Sequence, residues 1–340
     1  MLGAIKSLFK PAARQDGCPA VHQADMKEWI KSLVSRTAAP KAEDVSADFK
    51  RSINSHSGEL IAKLISADEE HRLIETDYPY SPRPRPYSES SGGKRIIALL
   101  EQADETSRKW LAEAAQYIDH FRMIPPHADP TGTAPAWIND MLPGLDGMML
   151  YTLVRSLRPR VYLEVGSGNS TKFVRRAIQD GALSTKIISI DPHPRAEVDV
   201  LCDEIIRKPF EDVHESTYLD LVSAGDMMFI DNSHRSFTNS DVTVFFTETI
   251  SALPSGIYYG IHDICLPYDY PEEWNERFYN EQYLLASYLL GGGGGDEIIF
   301  PGIYVSNAPQ FSRPIASLFD APEFHGVARH AGAFWMRRSD

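Results

Sequence analysis

Two groups of residues have the types and spacing to do chemistry. The first is Glu164-Val165-Gly166-Ser167-Gly168-Asn169-Ser170. Two glycines separated by one residue let the backbone bend sharply and let a ligand approach the main chain. A helix starting there would offer free N–H groups suited to a carboxylate or phosphate. A dinucleotide fingerprint wants a third glycine where this chain has Thr171, which disfavours a nicotinamide cofactor. Asp191 stands about 20 residues beyond Gly168, the spacing of an acid that accepts hydrogen bonds from ribose hydroxyls. A glycine bend plus such an acid, with no pyrophosphate seat, fits an adenosine ligand. An unrelated α/β protein could carry the same glycine turn; Asp191 and Asp231 together weigh against that reading.

The second group is Asp231-Asn232-Ser233-His234 with His262-Asp263. Asp231, His262 and Asp263 are ligand types for a divalent cation. Such a cation would lower the pKa of a bound hydroxyl and orient it. His234 is a candidate general base, because an imidazole can take a hydroxyl proton near neutral pH. The plainer alternatives are a hydrogen-bonded strand-end histidine for His262 and a structural or cofactor-amine contact for Asp231. Asn280-Glu281-Gln282-Tyr283 is either a polar stretch beside a pocket or a solvated helix face. Tyr268, Tyr270 and Trp274 could wall an acceptor or simply pack. His127, in a Pro-rich loop, is a weaker candidate.

These residues need strands to hold them. Apolar runs predict strands at 161–165, 186–190, 227–230 and 256–261, followed respectively by Gly166, Asp191, Asp231 and His262. A helix is expected over 172–179. Strands alternating with helices imply a mostly parallel sheet with helices on both faces, whose ligands bind at the carboxyl ends of the strands. Earlier in the chain, helical spacing is read in 21–75, 94–123 and up to 157. Pro- and Ser-rich residues 80–93 read as a linker. Later come a helix over 272–290 and strands near 297–305 and 333–337. The expected division is an N-terminal helical accessory region and linker over 1–93, then the catalytic domain over 94–340.

Tyr162-Leu163-Glu164-Val165-Gly166-Ser167-Gly168-Asn169-Ser170-Thr171 resembles motif I of class I S-adenosylmethionine-dependent methyltransferases. The similarity is nearest to the bacterial methyltransferase-24-like branch, with its sugar and natural-product O-methyltransferases, and runs from about 145 to 290. It implies an α/β, Rossmann-like, seven-stranded sheet with an antiparallel last strand. It further implies that Glu164, Gly166, Ser167, Gly168, Asn169 and Ser170 surround the methionine part of S-adenosylmethionine. Asp191 would hold the ribose, the Phe210-Glu211-Asp212 turn would lie near the adenine, and Asp231 would close the cofactor site. Metal-dependent members place an Asp after the fourth strand and an acidic pair after the fifth. Those positions correspond to Asp231 and His262-Asp263, with His234 as base. His262 departs from the pattern, because magnesium prefers oxygen. Magnesium, manganese, zinc, iron and no metal all stay open.

Composition sets the outer bounds. The 340-residue chain is 43% hydrophobic and 24% charged, ordinary for a globular protein. A formal charge of −13 disfavours nucleic acid and anionic membrane as partners. Three cysteines without a CxxC pair fit a reducing, cytoplasmic setting. Residues 1–10 are too short and too interrupted for a signal peptide. The expected partner is a small hydroxylated acceptor, a sugar or glycosylated metabolite, with room for a homo-oligomer. Two other functions remain open on this fold: a metal-dependent hydroxylase, and a non-catalytic adenosine-binding protein.

Overall fold

The computed structural model describes residues 80, 82–129, 132–139, 141–194 and 198–339. The helices expected in 21–75 lie outside the described residues. The compact unit begins at Pro82. Residues 82–93, expected as linker, contain a 3-10 turn at Tyr87–Glu89 and the start of helix α1 (Ser91–Gln102). The Ser90 side chain caps that helix by accepting from the Gly93 N–H at 3.0 Å. The long helix expected over 94–123 is three helices: α1, α2 (Asp104–Ala115) and α3 (Ile118–Arg122). Breaks fall at Ala103 and at Gln116-Tyr117, which carry no proline or glycine signal.

Among the described residues seven strands form one sheet, in the order β3-β2-β1-β4-β5-β7-β6. They are β1 (Val161–Val165), β2 (Lys186–Ile190), β3 (Glu204–Ile206), β4 (Met227–Ile230), β5 (Tyr258–Ile261), β6 (Glu297–Pro301) and β7 (Phe334–Arg337). β1 to β5 pair in parallel, and β7 runs antiparallel between β5 and β6. β1 and β4 are buried throughout, as strands covered on both faces must be, which is why they read as unbroken apolar runs. β3 was not foreseen: it is a three-residue edge strand, largely exposed, whose apolar run is only Ile205-Ile206. β6 stops at Pro301 and gives way to a helix, Gly302–Asn307, so the expected strand to 305 is shorter.

Helix α4 (Gly144–Leu157) is almost wholly buried, and α5 (Asn169–Asp180) buries Phe173, Val174, Ala177 and Ile178. The two meet at Gly147, where a Cβ would lie 2.9 Å from the Phe173 ring. Each large side chain buried in this core contributes about 1.5–3 kcal/mol. The strand register decides the site. Val165 pairs with Ile190 and with Ile230, and Ile230 pairs with Ile261. The residues that follow each strand, Gly166, Asp191, Asp231 and His262, therefore emerge together along one edge of the sheet. No helix among the described residues is long and apolar enough to cross a membrane. Cys202 and Cys265 are free.

Candidate active site

The glycine bend is dictated by its neighbours. Gly166 has φ +79°, and a Cβ there would sit 1.8 Å from the Asp231 carbonyl oxygen. Only glycine lets β1 pass this close to β4. Next in the chain, the Ser167 N–H donates to Asp191 Oδ2 at 2.7 Å, and the His193 N–H donates to Asp191 Oδ1 at 2.7 Å. Asp191 is thus held against the bend. Each carboxylate oxygen has accepted one bond and keeps a lone pair for a hydroxyl. Beyond Ser167, a Cβ on Gly168 would meet nothing within 4 Å, so the crest of the bend faces open space.

Glu164 lies behind the bend and is 0% exposed. It accepts from Tyr162 Oη at 2.9 Å and from Thr171 Oγ1 at 2.5 Å. Burial pushes its carboxyl up to about 7 against the pull of hydrogen bonds from Ser170, Thr171 and Tyr162. Thr171 in turn accepts from the Gly168 N–H at 3.1 Å. The residue that spoils a dinucleotide fingerprint is therefore the brace of the loop. Asn169 donates to Asn139 Oδ1 at 3.1 Å, tying the bend to the Pro-rich loop, and Ser170 is buried. Phe210 is turned into the core against Tyr218, with ring centroids 5.0 Å apart, while Glu211 beside it is exposed.

The second cluster is denser than the sequence suggested. His234 Nδ1 donates to Glu281 Oε1 at 2.5 Å, and both side chains are buried. Its Nε2 lies 3.4 Å from Asp231 Oδ1 and 3.4 Å from Asp263 Oδ2. His262 Nδ1 lies 3.6 Å from Asp231 Oδ1 and 3.4 Å from Asp263 Oδ1, and its Nε2 faces Asp146 Oδ2 at 3.3 Å. Asp146, near the start of α4, also accepts from the Gly332 and Ala333 N–H groups at 2.6 and 3.0 Å. His234 and Asp263 both hold positive φ, +60° and +55°. Non-glycine residues in that region cost about 1–3 kcal/mol each and gather at functional sites.

Burial works against a charge on either imidazole. Glu281 and Asp231 outweigh it at His234, and Asp231 and Asp263 outweigh it at His262, so both rings titrate well above the ordinary value. Asp231 shows the converse. Burial opposes its charge, but His262 and His234 hold its carboxyl well below the usual range. Burial raises Glu281, with His234 pulling the other way. Asp231 is the most open of the group, with its side chain 36% exposed.

Asp231, His262 and Asp263, the expected cation set, lie side by side in this cluster. No group of three or more His, Cys, Asp or Glu among the described residues is disposed to hold a metal.

The helix expected over 272–290 is interrupted. A 3-10 stretch, Glu272–Arg277, ends at Phe278 with φ +56°, and an α-helix (Glu281–Leu290) begins afresh. That restart places Glu281 and Gln282, both 0% exposed, at the site, not on a solvated face. Gln282 accepts from the Cys265 N–H at 2.8 Å. Tyr279, which was not singled out from the sequence, packs against His234 with ring centroids 4.6 Å apart and planes tilted by 44°. Tyr270 is buried against Trp274 and Tyr279, and Tyr268 is 40% exposed. His127 is exposed, on a backbone bridge to Ile138.

Residues 163–264 match the family described as a methyltransferase domain. No curated protein matches the chain. Similar solved structures include the O-methyltransferase TomG from Streptomyces achromogenes, involved in tomaymycin synthesis and complexed with SAM. It is 14% identical, with 68% of this chain and 90% of that chain covered and a TM-score of 0.32. The SAH-bound Podospora anserina methyltransferase PaMTH1 is 13% identical over 78% and 100% of the two chains, at 0.35. The Bacillus cereus O-methyltransferase in complex with SAH is 14% identical over 72% and 100%, at 0.31. Overlaps this low carry no weight for activity; the fold stands on strand order and register.

Proposed function

We propose that this chain, whose residues 163–264 match the methyltransferase-domain family, transfers a methyl group from S-adenosylmethionine to a hydroxyl of a small acceptor. The observation that carries the oxygen-acceptor reading is the buried Glu281–His234 pair, one strand away from the glycine bend. When bound, S-adenosylmethionine supplies a methyl on a cationic sulfur, which needs little further activation. The residues present fit that ligand. Asp191 has lone pairs for ribose hydroxyls, the Gly168 crest is open, and the first N–H groups of α5 suit a carboxylate.

The chain's own part is placement and proton removal. Glu281 fixes the ring of His234 through Nδ1 and leaves Nε2 on the side of Asp231 and Asp263, the ring nitrogen a general base would use. In the molecules whose ring is neutral, a fraction that grows as pH rises toward the raised His234 midpoint, Nε2 takes the proton of the acceptor hydroxyl as its oxygen becomes the methyl ether and S-adenosylhomocysteine leaves. Asp231 and Asp263, on either side of Nε2, stabilise the resulting imidazolium. Tyr279, packed against the ring, restricts its rotation. A ring acceptor bearing hydroxyls, a sugar or a glycosylated aromatic, suits a mouth that includes Tyr268 and Trp274.

The test uses methyl-labelled S-adenosylmethionine with a catechol and with simple glycosides as acceptors. A methyl ether should form, and His234→Asn should lose about 10²–10⁴ in turnover with S-adenosylhomocysteine affinity unchanged. Methyl appearing on nitrogen or carbon, or full turnover by His234→Asn, would remove this reading.

A further inference from the structure

Two arginines gather on the aromatic ring that packs against the candidate base. The Arg235 guanidinium lies 5.1 Å from the centre of the Tyr279 ring. The Arg277 guanidinium lies 5.7 Å from the same ring and 5.5 Å from that of Trp274. Tyr279 itself packs against His234, so one ring separates both cations from the imidazole. The chain fixes this arrangement. Arg235 Nε donates to the Arg277 carbonyl at 2.7 Å, and a terminal nitrogen of Arg235 donates to the Ser233 carbonyl at 3.1 Å. Phe278, at φ +56°, turns the backbone between Arg277 and Tyr279. Elsewhere the guanidiniums of Arg160, Arg175, Arg176 and Arg207 each meet an aspartate within 2.9 Å. The bonds that Arg235 makes go to backbone carbonyls, which are neutral. No carboxylate of the described side chains pairs with Arg235 or Arg277, and the neighbouring acids Asp231, Asp263 and Glu281 face His234 instead.

We propose that Arg235 and Arg277 bind an anionic group, a carboxylate or a phosphate, carried by the methyl acceptor, so that the substrate is an acid and not a neutral glycoside. A guanidinium has five N–H donors. Arg235 spends two on carbonyls and keeps the others for a ligand. A cation beside an aromatic ring keeps its charge and its donors, while the ring holds off water on one side. Guanidinium N–H groups match the paired oxygens of a carboxylate or phosphate, and such charge-assisted bonds are about twice as strong as neutral ones. In a chain with a formal charge of −13, an anionic substrate is repelled by most of the surface. Two cations without acidic partners mark the place where it can settle. Arg235 adjoins His234 in the chain, so an anion held there brings the rest of its molecule next to the base. Arg277, exposed at the end of its 3-10 stretch, serves the outer side of the same group.

The inference rests on reading the His234 cluster as the acceptor end of the crevice. Its test requires no methyl transfer, so the two can fail separately. The full chain at low ionic strength is titrated with benzoate, with phenyl phosphate and, as the neutral control, with phenol. Binding is followed by saturation-transfer NMR on the probe's ring protons and by the labelled His234 imidazole signal. At least one anion should saturate with a Kd below about 5 mM, at least about tenfold tighter than phenol, and should shift the His234 signal. Binding of benzoate alone identifies a carboxylate, binding of phenyl phosphate alone a phosphate. Arg277→Gln, with folding checked by its melting transition, should weaken that anion by at least about tenfold, the worth of a hydrogen bond to a charged group. Neither anion saturating below about 5 mM would overturn the proposal. So would phenol binding as tightly as the anions, an unchanged affinity in folded Arg277→Gln, or binding that leaves the His234 signal in place. The wild-type titration decides the matter even if the variant fails to fold.

Discussion

Replacing Glu281 with glutamine isolates the charge that holds the candidate base. The side chain keeps its volume and an oxygen that can accept from His234 Nδ1, now 2.5 Å from a carboxylate oxygen. Only the negative charge is lost. Two unit charges about 4 Å apart interact by about 4 kcal/mol at an effective dielectric of about 20. Part of that is offset, because burial already favours a protonated Glu281. If about a third survives, roughly 1.4 kcal/mol, the His234 midpoint falls by about one pH unit. Histidine-selective NMR of the labelled ring reads this directly, with the His234 signal assigned by its loss in His234→Asn. The midpoint should begin well above the ordinary imidazole value and drop by at least about one pH unit in Glu281→Gln. Glu281→Ala leaves Nδ1 of the buried imidazole without a partner and should cost about 3–5 kcal/mol of stability. A midpoint that moves by less than about 0.3 pH unit would show that Glu281 does not set the proton affinity of His234.

Gly166→Ala places a methyl where the Asp231 carbonyl lies and forces a side chain onto φ +79°. The left-handed backbone costs about 1–2 kcal/mol and the overlap about 1–3 kcal/mol, so thermal melting should drop by several degrees; an unchanged melting temperature contradicts the close approach. Stability should also depend on pH with a defined sign. His234 and His262 have raised folded values, so their contribution is complete below about pH 6.5 and is lost as pH rises through those values. Asp231 has a depressed value, so its contribution is present above about pH 4 and is lost as pH falls through the folded value. Melting temperatures taken across the pH range should therefore decline at both ends, and a curve still rising well above neutrality would contradict the histidine assignment. Turnover, by contrast, should rise with pH through the His234 midpoint, because the base must be unprotonated, and a rate profile flat above pH 7 would exclude it.

The buried center of this fold was legible because its strands are short apolar runs that each end in a residue of different chemistry. Gly166, Asp191, Asp231 and His262 could be aligned from that pattern before their register was seen. Edges were less readable. Glu204–Ile206 pairs with β2 on one side only and carries an acid and exposed positions. Helix breaks at Ala103 and near Phe278 were hidden, because alanine favours helix and phenylalanine gives no turn signal. The partners of the two histidines were hidden for a different reason. Glu281 read either as part of a polar stretch beside a pocket or as a solvated face, and Asp146 carried no signal; tertiary placement buries both, with Asp146 separated from His262 by 116 positions. Glu164, which the motif resemblance puts beside the cofactor, is wholly buried and braces the bend through Thr171.

The central claim is that the bend at Gly166–Gly168 and the carboxylate of Asp191 grip one adenosyl ligand. Calorimetric titration with S-adenosylhomocysteine, beside NAD as a control, tests it most directly. The account predicts one saturable site for S-adenosylhomocysteine, none for NAD, and a loss of at least about tenfold in affinity, or 1.4 kcal/mol, in Asp191→Ala. No binding by the wild-type chain, or equal affinity in the variant, would contradict it.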